Sequence, residues 1–150
     1  MFSSGLRLDM DIESIIKEGF DAMNKHDPDA SVSLYAPDAL HLHPFPEPSR
    51  GKEAIKKENK EFFEAFPDLQ VKISTIISSG DRAAVEFEMK GTNTGPLVTP
   101  DGNSIPATNK RMEMNGSAFF KANAEGLISE EHFYFDTASL MGQLGIKPPE

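Results

Sequence analysis

At Leu69 the spacing of apolar residues changes from one helical turn to every second residue, and that change of period limits the chain to folds that place helices before a sheet. Upstream, Ile12, Ile15, Ile16, Phe20 and Met23 recur at helical spacing. Asp11 and Glu13 sit at the positive end of that helix dipole. Asp27-Pro28 offers a cap and a first-turn proline for a short second helix that carries Val32, Leu34 and Tyr35 up to Pro37. The stretch "ALHLH" (39–43) reads as a short strand, and the prolines after it as a sharp turn. After Gly51, residues Ile55, Phe62, Phe63 and Phe66 mark the apolar face of a third helix that Pro67 ends.

From Leu69 the residues Leu69, Val71, Ile73, Thr75 and Ile77 alternate onto one face, and after the turn "SSGDR" Val85, Phe87 and Met89 alternate with Glu86, Glu88 and Lys90. That is an antiparallel hairpin. Residues 92–109 form the longest loop, rich in Gly, Pro, Thr and Asn. Strands over 110–122 and 127–135 follow, joined by "NAEG", and a short final helix is capped by Asp136 and stopped near Gly145. Helices first and a mostly antiparallel sheet afterwards make the chain α+β with its helices on one face. A strongly bent sheet folded over a long helix leaves a cavity, here walled by Phe and Met, of the kind that holds small apolar ligands.

The formal charge of −9 disfavours nucleic acid and anionic membrane surfaces as partners. With no cysteine, disulfides, thiolate zinc sites and cysteine nucleophiles are excluded. No run approaches the ~20 apolar residues of a membrane span, and a cytoplasmic location is expected. The 150 residues suit one domain over 11–150 after a flexible N-terminal segment, 1–10.

Several stretches together resemble the SnoaL-like polyketide cyclases of the nuclear-transport-factor-like, ketosteroid-isomerase-like superfamily. They are "RGKEAI", "AFPDL", "SGDRAAVEFEMKGTNTG", "IPATNK" and "EGLISEEHFYFDTASLMGQLG". The resemblance covers nearly the whole chain. It implies a cone-shaped, strongly curved, mixed but mostly antiparallel sheet wrapped around the N-terminal helices and enclosing a pocket. It also implies cofactor-free chemistry and a homodimer. Within the pattern the chain has Asn93 where the family often has histidine, and His132 where it often has tryptophan.

The resemblance carries the family's general acid and base onto Asp136, after the last strand. By alternation Ile128, Glu130, His132, Tyr134 and Asp136 share a face, so His132 and Tyr134 are expected to enter the pocket beside Asp136 and to orient a substrate. Taken without the resemblance, that polar face is a solvent or dimer face, and Asp136 is a helix cap. His41 and His43 also face one way. They lack a third ligand nearby, so no metal is expected, and His43 is taken as a second polar anchor of the pocket. Phe63, Phe66, Phe87, Met89, Met112 and Met114 are its candidate apolar lining, each equally at home in a plain core. Three functions are compatible with these residues. One is acid–base catalysis on a small apolar carbonyl compound, as isomerase, cyclase or hydrolase. The others are a non-catalytic ligand-binding or accessory module and an interaction subunit.

Overall fold

The computed structural model describes residues 11–45, 47–99 and 101–147; the expected N-terminal segment 1–10 lies outside them. Helix α1 (Ile12–Asn24) starts where the Asp11 carboxylate accepts the Ser14 N–H, and it buries Ile12, Ile15 and Ile16. The Asn24 amide at its end then acts as a substitute strand, donating to the Val71 carbonyl at 2.9 Å and accepting the Val71 N–H at 2.7 Å. Helix α2 is a single turn, Pro28–Ser31, capped by Asp27.

Strand β1 (Tyr35–Leu42) begins earlier than the apolar spacing predicted, because Leu34 and Tyr35 leave the helix and the chain continues extended through Pro37. Proline is tolerated there since residues 36–39 bulge out of the ladder: Tyr35 pairs with Ile128, and pairing resumes at Leu40 with Glu130. The two-residue strand β2 (Ser49–Arg50) folds back on β1. Helix α3 (Lys52–Ala65) follows Gly51, as the sequence predicted, and buries Ile55, Phe63 and Ala65.

Strands β3 (Gln70–Ser79) and β4 (Arg82–Thr92) form the predicted hairpin. One detail differs. Ser74 is an extra residue in β3, because Ile73 pairs with Phe87 and Thr75 with Glu86. The bulge exchanges the faces beyond it, so Ile76 points inward and Ile77 is left 66% exposed.

Strands β7 (Arg111–Ala122) and β8 (Ile128–Phe135) complete a six-stranded sheet of order β2-β1-β8-β7-β4-β3, antiparallel except for β1 and β8. Helix α4 (Thr137–Leu144) is capped by Asp136 and ends at left-handed Gly145. Its Gln143 exchanges two hydrogen bonds with the Glu113 backbone and so clips α4 to β7. The architecture is α+β with a mostly antiparallel sheet, as read from the sequence.

The core lies between the inner face of this sheet and the N-terminal helices, with Val71, Val85, Phe87, Met89, Met112, Met114, Ala118 and Phe120 meeting Ile12, Ile15, Phe63 and Phe66. Gly116 pairs with Phe87 in register. It has no room for a side chain: a Cβ there would lie 2.5 Å from Phe87 Cζ and 2.9 Å from the Tyr134 carbonyl oxygen.

The long 92–109 loop contains a small hairpin of β5 (Leu97–Val98) and β6 (Ser104–Ile105). Asn93, fully buried, ties it down. Its Nδ2 donates to the carbonyls of Ala65 and Gly95, and its Oδ1 accepts the Thr108 N–H and hydroxyl, both at 2.9 Å. All four side-chain bonds are made inside the protein, so truncation strands several partners at once. Asn93→Ala is expected to cost about 2–4 kcal/mol, seen as a lower urea midpoint with an unchanged slope. A loss below about 0.5 kcal/mol would show that water replaces the amide freely.

Candidate functional site

The parallel pairing of β1 with β8 sets His41 opposite Glu131. Both project to the inner face. From the same strand Tyr35 donates its hydroxyl to Glu131 Oε1, and the second carboxylate oxygen faces His41 Nε2 at 4.0 Å. On the other side of the ring, Glu58 of α3 brings Oε1 to 3.5 Å from His41 Nδ1. Its Oε2 lies 3.4 Å from His43 Nε2. Five ionisable groups from three elements thus run in a line: Tyr35, Glu131, His41, Glu58, His43.

His43 stands just past the end of β1. Its Nδ1 accepts the Phe45 N–H, which assigns the ring proton of the neutral imidazole to Nε2, where Ser49 Oγ lies at 3.2 Å and Glu58 beyond. His41 differs. Both of its ring nitrogens and Glu58 Oε1 are shielded from water without an aligned hydrogen bond, and the two carboxylates lie 3.5 and 4.0 Å from the ring nitrogens.

Burial disfavours the imidazolium, but the Glu131 charge and the Glu58 contact outweigh it and raise His41 above its ordinary 6.5. Burial likewise pushes Glu58 up, yet the close polar contacts with His41 and Ser49 and the charge of the neighbouring imidazoles leave it below the ordinary carboxylate value. Tyr35, enclosed by protein and next to an anion, is pushed well above 10.0 and stays a phenol.

Aromatic rings wall the line. Phe133 lies 6.0 Å from His41 and stacks on Phe87 at 5.3 Å and 8°, while Phe45 stands 5.4 Å from His43 and 6.3 Å from Phe135. Glu58, with its side chain 39% exposed, and Phe45, 38% exposed, sit where the cluster meets solvent.

The predicted residues fall into three groups. His43 joins the cluster. Phe63, Phe66, Phe87, Met89, Met112 and Met114 are all in the packed core, between 0% and 7% exposed, and of these Phe87 reaches the histidines through Phe133. The orientation expected for His132, Tyr134 and Asp136 is corrected. Ser129 is an extra residue in β8, since Ala122 pairs with Ile128 and Lys121 with Glu130. Ile128 therefore turns into the core, and past the bulge Glu131, Phe133 and Phe135 take the inner face. His132 pairs with Glu130 at 3.3 Å on the outer face, Tyr134 is 51% exposed beside Phe119, and Asp136 is an exposed cap bonded to the Ser139 N–H. Sequence reading missed Tyr35, Glu58 and Glu131; the one available signal was the shared direction of His41 and His43.

Among the described residues no group of three or more His, Asp or Glu side chains is arranged to hold a metal ion, and no helix is long and apolar enough to cross a membrane.

A family model described as SnoaL-like polyketide cyclase matches residues 14–144. A C-glycoside deglycosidase beta subunit of Microbacterium trichothecenolyticum is 34% identical over 89 residues, 55% of this chain and 68% of that protein. Among solved structures, a SnoaL-like protein of Jannaschia sp. CCS1 is 21% identical with a TM-score of 0.77, covering 91% of this chain and 92% of that one. SalBIII, an epoxide hydrolase/cyclase-like enzyme of pyran ring formation in the polyether salinomycin, is 18% identical with a TM-score of 0.68, covering 93% and 97%. These two likenesses concern the fold.

The raised His41 makes stability depend on pH with a definite sign. Its contribution is complete below the unfolded value near 6.5 and is lost as pH rises through the higher folded value. Glu58, lowered, contributes above about 4.5 and loses that contribution as pH falls through its folded value. The urea midpoint of the wild type is expected to decline as pH rises above 6.5 through the raised folded value of His41, and His41→Gln to flatten that decline. A midpoint that rises over this interval contradicts the placement of His41 between two charges.

Proposed function

The chain belongs to the SnoaL-like polyketide cyclase family, and from that premise we propose that it is an acid–base enzyme acting without a cofactor on a small, largely apolar carbonyl compound, with His41 as the proton carrier. The observation that carries this reading is a water-shielded imidazole held between two carboxylates with neither nitrogen engaged in an aligned hydrogen bond. Such a ring has protons to give, and the Phe45, Phe133 and Phe135 rings offer an apolar body somewhere to lie.

In the proposed step the His41 imidazolium donates one proton to the carbonyl oxygen, and the Glu58 carboxylate removes one from the adjacent carbon. The C–H electron pair becomes the C=C bond of an enol, and the carbonyl π pair takes up the donated proton. When His41 loses its charge, Glu58 loses the neighbour that keeps it weakly basic. Its affinity for the carbon-bound proton therefore rises as the transfer proceeds. Returning that proton to a different carbon completes an isomerisation; attack of the enol carbon on a second carbonyl closes a ring.

Asp136, with His132 and Tyr134, remains the competing proton carrier that the family resemblance suggested, and the two assignments separate cleanly. Deuterium incorporation next to the carbonyl of small cyclic and aryl ketones in D2O, followed by proton NMR, is the assay. His41→Gln and Glu58→Gln are expected to slow catalysed exchange by about 100-fold or more, and Asp136→Asn, which still caps α4, to leave it within about twofold. The opposite pattern returns the chemistry to Asp136.

A second reading is an accessory subunit that binds without turnover. It is favoured by the similarity to a protein named as the beta subunit of a deglycosidase. Saturable ketone binding without catalysed exchange in any variant decides for it. A chain without cysteine needs no oxidising compartment, which supports the cytoplasm as the place of action.

We further propose that the outer sheet face, where Phe119 and Tyr134 stand half exposed with ring centroids 6.1 Å apart, packs against a second copy of the chain. Sedimentation is expected to give a dimer for the wild type and a folded monomer for Phe119→Glu. A wild type that stays monomeric at about 100 μM, where a Kd near 1 μM gives mostly dimer, refutes the pairing.

A further inference from the structure

We propose that Tyr35 is a positioning residue, whose hydroxyl holds the Glu131 carboxylate against the His41 ring and so keeps His41 between two carboxylates supplied by different elements. Tyr35 and His41 lie at the two ends of β1 with the bulge of residues 36–39 between them, and Glu131 on β8 spans the gap. One carboxylate oxygen takes the phenol proton and the other faces Nε2. Anchoring one oxygen fixes the other, because a carboxylate tied at one end has lost most of its freedom to rotate. The high value at which Tyr35 ionises keeps it a donor throughout the neutral range.

The groups that face His41 come from every element packed around it. They are Glu58 from α3, Glu131 from β8, Tyr35 from β1 and His43 just past its end; Ser49 of β2 engages His43, and Phe133 covers the ring. Among the described residues Glu58 and Glu131 are the carboxylates that face the imidazole, so a change in how Glu131 is held registers on His41.

The functional meaning of this inference rests on His41 as proton carrier, but its test reads the resting protein with no ketone present. The chain has four histidines, so a carbon-13 histidine spectrum titrated with pH gives four resolvable curves, His41 being assigned by His41→Gln. The wild-type His41 midpoint is expected above 6.5. Tyr35→Phe keeps the ring in the core and removes only the hydroxyl, and it is expected to lower that midpoint by about one pH unit. Glu131→Gln is expected to lower it at least as far. The double variant should do no more than Glu131→Gln alone, the signature of a residue that acts through another.

An unchanged or higher His41 midpoint in Tyr35→Phe overturns the inference, and so does an additive effect in the double variant. Should Tyr35→Phe fail to fold, Glu131→Gln still decides through the two tyrosines of the chain. Removing the anion must bring the ultraviolet titration of one of them down toward 10.0, and its failure to do so breaks the Tyr35–Glu131 link. Failure here with exchange still lost in His41→Gln leaves the catalytic reading standing. Failure of exchange with the expected titrations leaves Tyr35 in place and removes only the enzyme.

Discussion

The pairing of β1 with β8, the single parallel ladder among the described strands, is the constraint on which the rest of the site depends. Parallel neighbours cannot be joined by a tight turn, and here residues 40–42 meet residues 130–132 across about 90 intervening positions. Closing so long a loop costs entropy that the ladder alone does not repay. The surrounding contacts do, through the core that α1 and α3 share with the inner sheet face. His41 and Glu131 therefore come together only in the completed fold.

Bringing together elements so distant in sequence suits what the cluster contains. A lone imidazolium or carboxylate moved out of water is penalised by several kcal/mol, and here each charge is flanked by its opposite before it is enclosed. Glu58 arrives on a rigid helix, Glu131 on a central strand, and His41 between them on β1. No member can leave without stranding a neighbour. The absence of aligned hydrogen bonds at His41 marks the place where this arrangement is least complete, and the remaining polar side chains of the cluster are better satisfied: Tyr35 by Glu131, His43 by Ser49 and the Phe45 backbone.

Much of the architecture was legible because local rules decide it. The caps at Asp11, Asp27 and Asp136, the helices over 12–24 and 52–65, and the alternation of Val85, Phe87 and Met89 all follow from spacing and capping chemistry. What failed was continuity of phase. Single extra residues at Ser74 and Ser129 reverse which side chains face the core, and neither serine differs in type from an ordinary strand residue facing water. Asp136 was expected inward on the family's pattern, and Tyr134 and His132 followed it by alternation; all three moved outward together. The partners of His41 were illegible for another reason. Glu131 is 90 positions away, in a register that no local pattern encodes, and Glu58 resembles every other charged residue on the solvated face of α3.

The crowding at Gly116 bears on how such a site could be retuned. A ring lies where that position would otherwise carry a methyl group, and the same ring backs the Phe133 plate beside His41. The packing behind the cluster is thus recorded as an omission on the far strand. Exchanging hydrogen for carbon there would tilt the aromatic stack and shift the plate that lies against His41, while every ionisable group kept its identity.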